Sequence, residues 1–125
     1  MEIDAASIRG FHAHVYFDPT TRTTALQVRD RLAERFDVEL GRIHEKPLGP
    51  HPKSMYQVKF APEEFGALVP WLMIYHQELD VLIHPETGDD VADHTVNALW
   101  LGTKLELNIE FLRKFAAKAQ GGKAA

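Results

Sequence analysis

The stretch Phe11-His12-Ala13-His14-Val15-Tyr16-Phe17 alternates between two kinds of side chain. Successive side chains of an extended strand point to opposite faces. Phe11, Ala13, Val15 and Phe17 therefore share one face, while His12, His14 and Tyr16 share the other. One side of this strand asks to be buried, and the other presents two imidazoles. Asp18-Pro19-Thr20 ends it and supplies helix-start chemistry.

Working outward, Ala25, Val28, Leu32 and Phe36 recur at three- and four-residue spacing, which predicts an amphipathic helix over 24–36. Val38 to His44 reads as a second, weaker strand. Glu45 to Pro52 is a turn-rich loop, and Ser54 to Phe60 is a third strand with Tyr56, Val58 and Phe60 on its apolar side. Pro62-Glu63-Glu64 is a helix first turn, since proline suits that position and carboxylates complement the dipole. That helix is expected to reach about Tyr75, with a kink at Pro70. Leu79 to His84 is a fourth strand, with Leu79, Val81 and Ile83 on one face and Asp80, Leu82 and His84 on the other. Pro85 to Asp90 is a turn. Beyond it, Val96–Gly102 and Leu105–Phe111 fit helix and strand alike.

Strand, helix, strand, strand, helix, strand is the split βαβ order of ferredoxin-like α+β domains. Both helices then cover one face of an antiparallel sheet. The other face is left for a partner chain, a tail or a ligand cavity, and fold analogy favours a dimeric α+β barrel.

A chain of 125 residues holds one domain. The expected divisions are an N-terminal extension over 1–8, the domain over 9–113 and a tail over 114–125, read as a fraying end or cloning remnant. Lys and Arg number 14 against 18 Asp and Glu, which argues against nucleic acid or an anionic membrane as partner. Met1 to Ser7 lacks the apolar core of a signal peptide. The longest apolar run, Ala67 to Tyr75, is far short of the roughly 20 residues of a membrane span. A soluble, cytoplasmic protein is expected. There is no cysteine, so disulfides, thiolate metal sites and cysteine nucleophiles are excluded.

Seven histidines stand out in so short a chain. His12 and His14 are about 7 Å apart at Cβ on one strand face, close enough for both rings to reach one ion; two solvated histidines are the competing reading. His84 ends the fourth strand on the face it shares with Asp80, for which a salt bridge or turn contact is the competing reading. His51 and His84 each precede a proline, which holds the backbone extended and stiffens the presentation of the side chain. His44 and His94 could do acid–base work near neutral pH. His76, at a helix end, reads as a cation near the dipole. Imidazoles and carboxylates without thiolates suit Fe(II), Mn(II), Zn(II) or Ni(II).

Four segments in order carry a resemblance. They are Phe11-His12-Ala13-His14-Val15-Tyr16-Phe17-Asp18, Gly49-Pro50-His51-Pro52, Leu79 to Asp89 with its His84-Pro85-Glu86-Thr87-Gly88 core, and Asp93-His94-Thr95 with Leu99-Trp100-Leu101-Gly102. Together they resemble the DOPA 4,5-dioxygenase family over about Gly10 to Gly102. The resemblance implies a small ferredoxin-like homodimer that opens the ring of L-DOPA or a related catechol by extradiol cleavage, using non-haem Fe(II) and O₂. Zn(II) or Ni(II) could substitute for the iron. On that basis His14, His51 and His84 are the expected ligands, and His12 is the next candidate. His94, Tyr16 and His12 are the expected catalytic residues. The alternative is a non-catalytic metal- or small-molecule-binding dimer of the same fold, with a closed zinc shell.

Overall fold

The computed structural model describes residues 4–124, with side-chain surroundings through residue 116. β1 (Phe11–Phe17), the alternating segment, lies at the centre of a five-stranded sheet. It runs antiparallel to β3 (Ser54–Phe60) on one side and β4 (Asp80–Pro85) on the other. β2 (Val38–Leu40) and β5 (Leu99–Leu101) form the edges, giving the order β2-β3-β1-β4-β5. With α1 (Arg22–Arg35) and α2 (Pro62–Tyr75) in the connections, this is the ferredoxin-like α+β arrangement.

The apolar face of β1 builds the main core. Ala13, Val15 and Phe17 meet Tyr56, Val58 and Phe60 of β3 and Val81 and Ile83 of β4. Ala25, Val28 and Leu32 of α1 and Leu68, Val69, Trp71 and Leu72 of α2 close over them. Each large apolar side chain so buried contributes about 1.5–3 kcal/mol. The one hydroxyl brought in by Tyr56 is satisfied, because it donates to the Ala25 carbonyl at 2.8 Å.

One local departure from the sequence reading has a simple cause. β2 stops at Leu40 rather than His44: the Gly41 N–H still donates to the Gln57 carbonyl at 2.8 Å, but the Gly41 carbonyl turns to Arg29 of α1 at 2.8 Å, and pairing returns as an isolated bridge between His44 and Met55. α2 reaches Tyr75 as expected, with Pro70 inside it. Pro70 and Gly66 are both exposed, so the Gly66 carbonyl that loses its donor can turn to water. The tail expected from Lys114 falls within α4 (Ile109–Ala124), and Ala125 lies outside the described residues.

The ambiguous region beyond residue 95 resolves into three pieces. β5 pairs with β4 and sets Trp100 opposite Leu82. Gly102 then turns the chain at φ +76°, where an added Cβ would stand 2.6 Å from Asp80 Oδ1. Residues 103–108 follow without strand pairing, and α4 begins at Ile109, where the Asn108 side chain accepts from the Phe111 N–H at 3.3 Å. Leu107 seats against Tyr16, Met55 and Leu82 on the sheet face opposite α1 and α2, with Leu105, Ile109 and Trp100 around it. This segment covers one end of that face. The other end, where β1 and β4 carry their histidines, is left as a cleft.

Candidate metal centre

The register of β1 and β4 places His12 directly opposite His84 and His14 opposite Leu82. On the other side of β1, Lys59 and Gln57 of β3 stand opposite His12 and His14. A cleft of about 470 Å³ opens over this part of the sheet, with His12, His14, His51, His84 and His94 in its lining. Five of the seven histidines thus surround one space.

His84 is oriented by its own backbone neighbour. Its Nδ1–H donates to the Pro85 carbonyl at 2.9 Å, which leaves the Nε2 lone pair facing the cleft. The Nε2 of His14 lies 3.1 Å from it. Two nitrogens bound to one ion at about 2.1 Å, roughly 90–110° apart, stand about 3.0–3.4 Å from each other. The pair therefore has the spacing of two ligands on a single metal. His12 completes a group in which one ring nitrogen of each residue lies within 4.8 Å of the others. Glu86 Oε1 lies 2.6 Å from His12 Nε2, a carboxylate–histidine contact of the kind that fixes ligand rings. The Nδ1 of His14 is buried with no protein partner. The donor set, all nitrogen and oxygen, suits a first-row divalent ion.

His51 and Tyr16 form a separate pair. The loop Gly49-Pro50-His51-Pro52 turns back through the His51 N–H on the Leu48 carbonyl, and it is clamped from the C-terminal side by the Asn108 N–H on the Pro50 carbonyl at 2.8 Å. This sets the His51 ring 4.3 Å from that of His14, centroid to centroid. The Tyr16 hydroxyl lies 2.7 Å from His51 Nδ1, and its ring stacks on Trp100. His94, at the C-terminal end of α3 (Asp90–Asp93), donates from Nδ1 to the Asp90 carbonyl at 2.7 Å and holds its ring 4.1 Å from that of His84.

Burial governs the charge state of this cluster. It pulls His14 well below the usual imidazole range, His51 to about 4 and His84 to about 3. The crowding of imidazoles adds to the effect, because each protonated ring disfavours its neighbours. His12 is also lowered by burial, partly opposed by the Glu86 carboxylate. Desolvation pushes the Tyr16 phenol up, so it stays protonated as a donor. Near neutral pH these rings are neutral, the form that binds metal.

The remaining sequence candidates stand apart. Asp80 accepts from the Thr103 N–H at 2.7 Å, a turn contact. His76 donates from Nδ1 to the Leu72 carbonyl at the end of α2. His44 bridges Met55 through its backbone and lines a neighbouring cleft with His51. Glu86 is a residue of the cleft that the sequence reading misses. Glu86 lies two residues beyond His84, and strand parity carried past Pro85 would have put both on one face.

No helix among the described residues is long and apolar enough to cross a membrane. The chain is 58% identical to a provisionally assigned dioxygenase of Nostoc punctiforme whose crystal structure superposes with a TM-score of 0.89, covering 91% of this chain and 99% of that one. It is 35% identical over 122 residues to an uncharacterised 21.2 kDa protein of Botryotinia fuckeliana, covering 87% of this chain and 67% of that protein. It is 30% identical over 113 residues to a DOPA 4,5-dioxygenase of Amanita muscaria, covering 83% of this chain and 50% of that protein. The family model for the Dopa 4,5-dioxygenase family matches residues 11–111, which takes in all five strands and every histidine of the cleft. The chain belongs to the DOPA 4,5-dioxygenase family.

Proposed function

We propose that this protein is an extradiol-type dioxygenase that opens the ring of a catechol, L-DOPA or a related compound, with non-haem Fe(II) and O₂. The observation that carries the reading is the His14–His84 pair, whose Nε2 atoms stand 3.1 Å apart, grouped with His12 at the floor of a cleft. His14, His84 and His12 hold the ion in this reading. Bound there, Fe(II) supplies the redox chemistry with O₂ and a chelating site for the two catechol oxygens.

The chain's own groups do the rest. His51 has Nδ1 taken up by Tyr16, and His94 has Nδ1 taken up by the Asp90 carbonyl. Each is thereby oriented to exchange a proton with substrate through Nε2. This exchanges the roles of His12 and His51 relative to the expectation from sequence, because the nitrogen grouping brings in His12. Glu86 holds the His12 ring, and Trp100 backs Tyr16. We read the enzyme as cytoplasmic and homodimeric; exposed Leu48, Phe111 and Phe115 supply apolar surface for a second copy.

The test is direct. Protein loaded anaerobically with Fe(II) is mixed with catechols and O₂, and the yellow ring-fission chromophore and O₂ uptake are followed. Both should appear with at least one catechol and vanish in His14→Ala. Absence of both with every catechol tried rejects the reading.

A further inference from the structure

Glu86-Thr87 and Asp93-His94 recur in the motif segments, yet neither Thr87 nor Asp93 has a part in the chemistry above. Asp93 is 1% exposed, the most enclosed carboxylate among the described residues. One of its oxygens accepts from the Thr87 N–H at 2.9 Å and the other from the Thr87 hydroxyl at 2.6 Å. Burying a carboxylate is costly unless its oxygens are satisfied, and an apolar plug would fill the same space without that cost. What this pair does is join two points on the chain: Thr87, just past the end of β4, and the last residue of α3.

α3 is a helix of four residues, too short to hold itself together. Its N-terminal side is capped locally, with the Asp89 side chain accepting from the Ala92 N–H at 3.1 Å. The two Asp93–Thr87 hydrogen bonds, with a longer one from the Asp89 N–H to the Thr87 hydroxyl at 3.4 Å, tie it to the chain just past β4. His94 follows Asp93 immediately, and its ring reaches back over His84 at 4.1 Å. We infer that Thr87 and Asp93 are positioning residues, a latch that fixes the one-turn α3 to the end of β4 and so places the His94 imidazole over the histidine cleft. The inference rests on the dioxygenase reading for its effect on turnover, but the latch itself is a structural statement that can be tested without turnover.

Three variants separate the possibilities. Thr87→Val keeps the shape and removes the hydroxyl, Thr87→Ser restores the hydroxyl, and Asp93→Asn tests the carboxylate while keeping its size. Long-range ¹H–¹⁵N spectra of the imidazoles read His94 without substrate or iron. The wild type and Thr87→Ser should show a single Nδ1–H tautomer for His94. Thr87→Val and Asp93→Asn should show averaged tautomers for His94, with His84 unchanged. With a turned-over catechol, Thr87→Val should lose about tenfold in kcat with KM within about twofold, and Thr87→Ser should recover it. Ni(II) affinity should stay within about threefold, because His12, His14 and His84 are untouched. An unchanged His94 spectrum in Thr87→Val overturns the latch. A parallel loss of Ni(II) affinity overturns it too, showing that the pair supports the whole site and not His94. If no catechol is turned over even by the wild type, the dioxygenase reading fails while the spectra still decide the latch.

Discussion

His14 and His84 bring their Nε2 atoms within 3.1 Å of each other although they are not register partners: His84 stands opposite His12, and His14 opposite Leu82. The contact is diagonal across two antiparallel strands, and it exists because the Pro85 carbonyl fixes the His84 ring. His14→Ala and His84→Ala should each weaken Ni(II) or Co(II) binding at least about 100-fold, about 2.7 kcal/mol. His76→Ala, at the end of α2, should leave it unchanged. His12→Ala should cost far more affinity than His51→Ala, measured by titration calorimetry; the reverse order would return His51 to the ligand set.

Metal should stabilise the fold by mass action. At a free Ni(II) concentration 100 times its Kd, the gain is about 2.7 kcal/mol in urea unfolding, reversed by a chelator. A midpoint that does not move with Ni(II) would mean that the buried nitrogens have no ion to share.

The metal-free protein should lose stability as the medium turns acid. Burial holds His51 at about 4 and His84 at about 3, and His14 well below its usual range, whereas the unfolded chain takes up protons near 6.5. The unfolded state therefore binds more protons between those limits. Stability is fully present above about pH 6.5 and falls as pH drops toward 4. Each such histidine adds a slope of about 1.4 kcal/mol per pH unit. Urea midpoints at pH 7.5, 6.5, 5.5 and 5 check this, and a flat profile down to pH 5 contradicts neutral buried rings.

Tyr16→Phe keeps the stack on Trp100 and removes the hydroxyl that meets His51 Nδ1. Leaving that buried nitrogen unpaired should cost about 1–3 kcal/mol. If His51 carries a proton in turnover, kcat should fall at least about tenfold with metal affinity retained. Equal losses in kcat and in Ni(II) affinity would show instead that Tyr16 supports a ligand.

Leu82 is fully buried beneath Leu107 in the second apolar cluster. Leu82→Ala should destabilise by about 2–5 kcal/mol. Val96→Ala, at a position 84% exposed, should stay within about 0.5 kcal/mol. Thermal unfolding of the two variants separates a cluster that supports the cleft from a surface decoration.

Much of this was legible in the residues. The alternation of β1 put His12, His14 and Tyr16 on one face, and the parity of β4 put His84 on one face with Leu82. The order of elements implied the sheet. What the residues could not carry was register, since nothing in the local pattern says that His12 rather than His14 stands across from His84. The reach of the C-terminal segment was equally hidden. Leu105 and Ile109 satisfy two periodicities because the chain there is neither strand nor helix until Ile109, and tertiary packing on Tyr16 and Leu82 decides. The partners of Glu86 and Asp93 were hidden for a different reason. Both lie in polar turn sequence, where a carboxylate ordinarily reads as solvated, and only the fold shows one paired with His12 and the other buried on Thr87.

The clamp of the Asn108 N–H on the Pro50 carbonyl has a consequence for the order of assembly. Every strand of the sheet leaves the ribosome before Asn108 does, so His12, His14 and His84 can come together while the loop bearing His51 still lacks its anchor. Folding that proceeds as the chain emerges thus gathers His12, His14 and His84 first and anchors the His51 loop second.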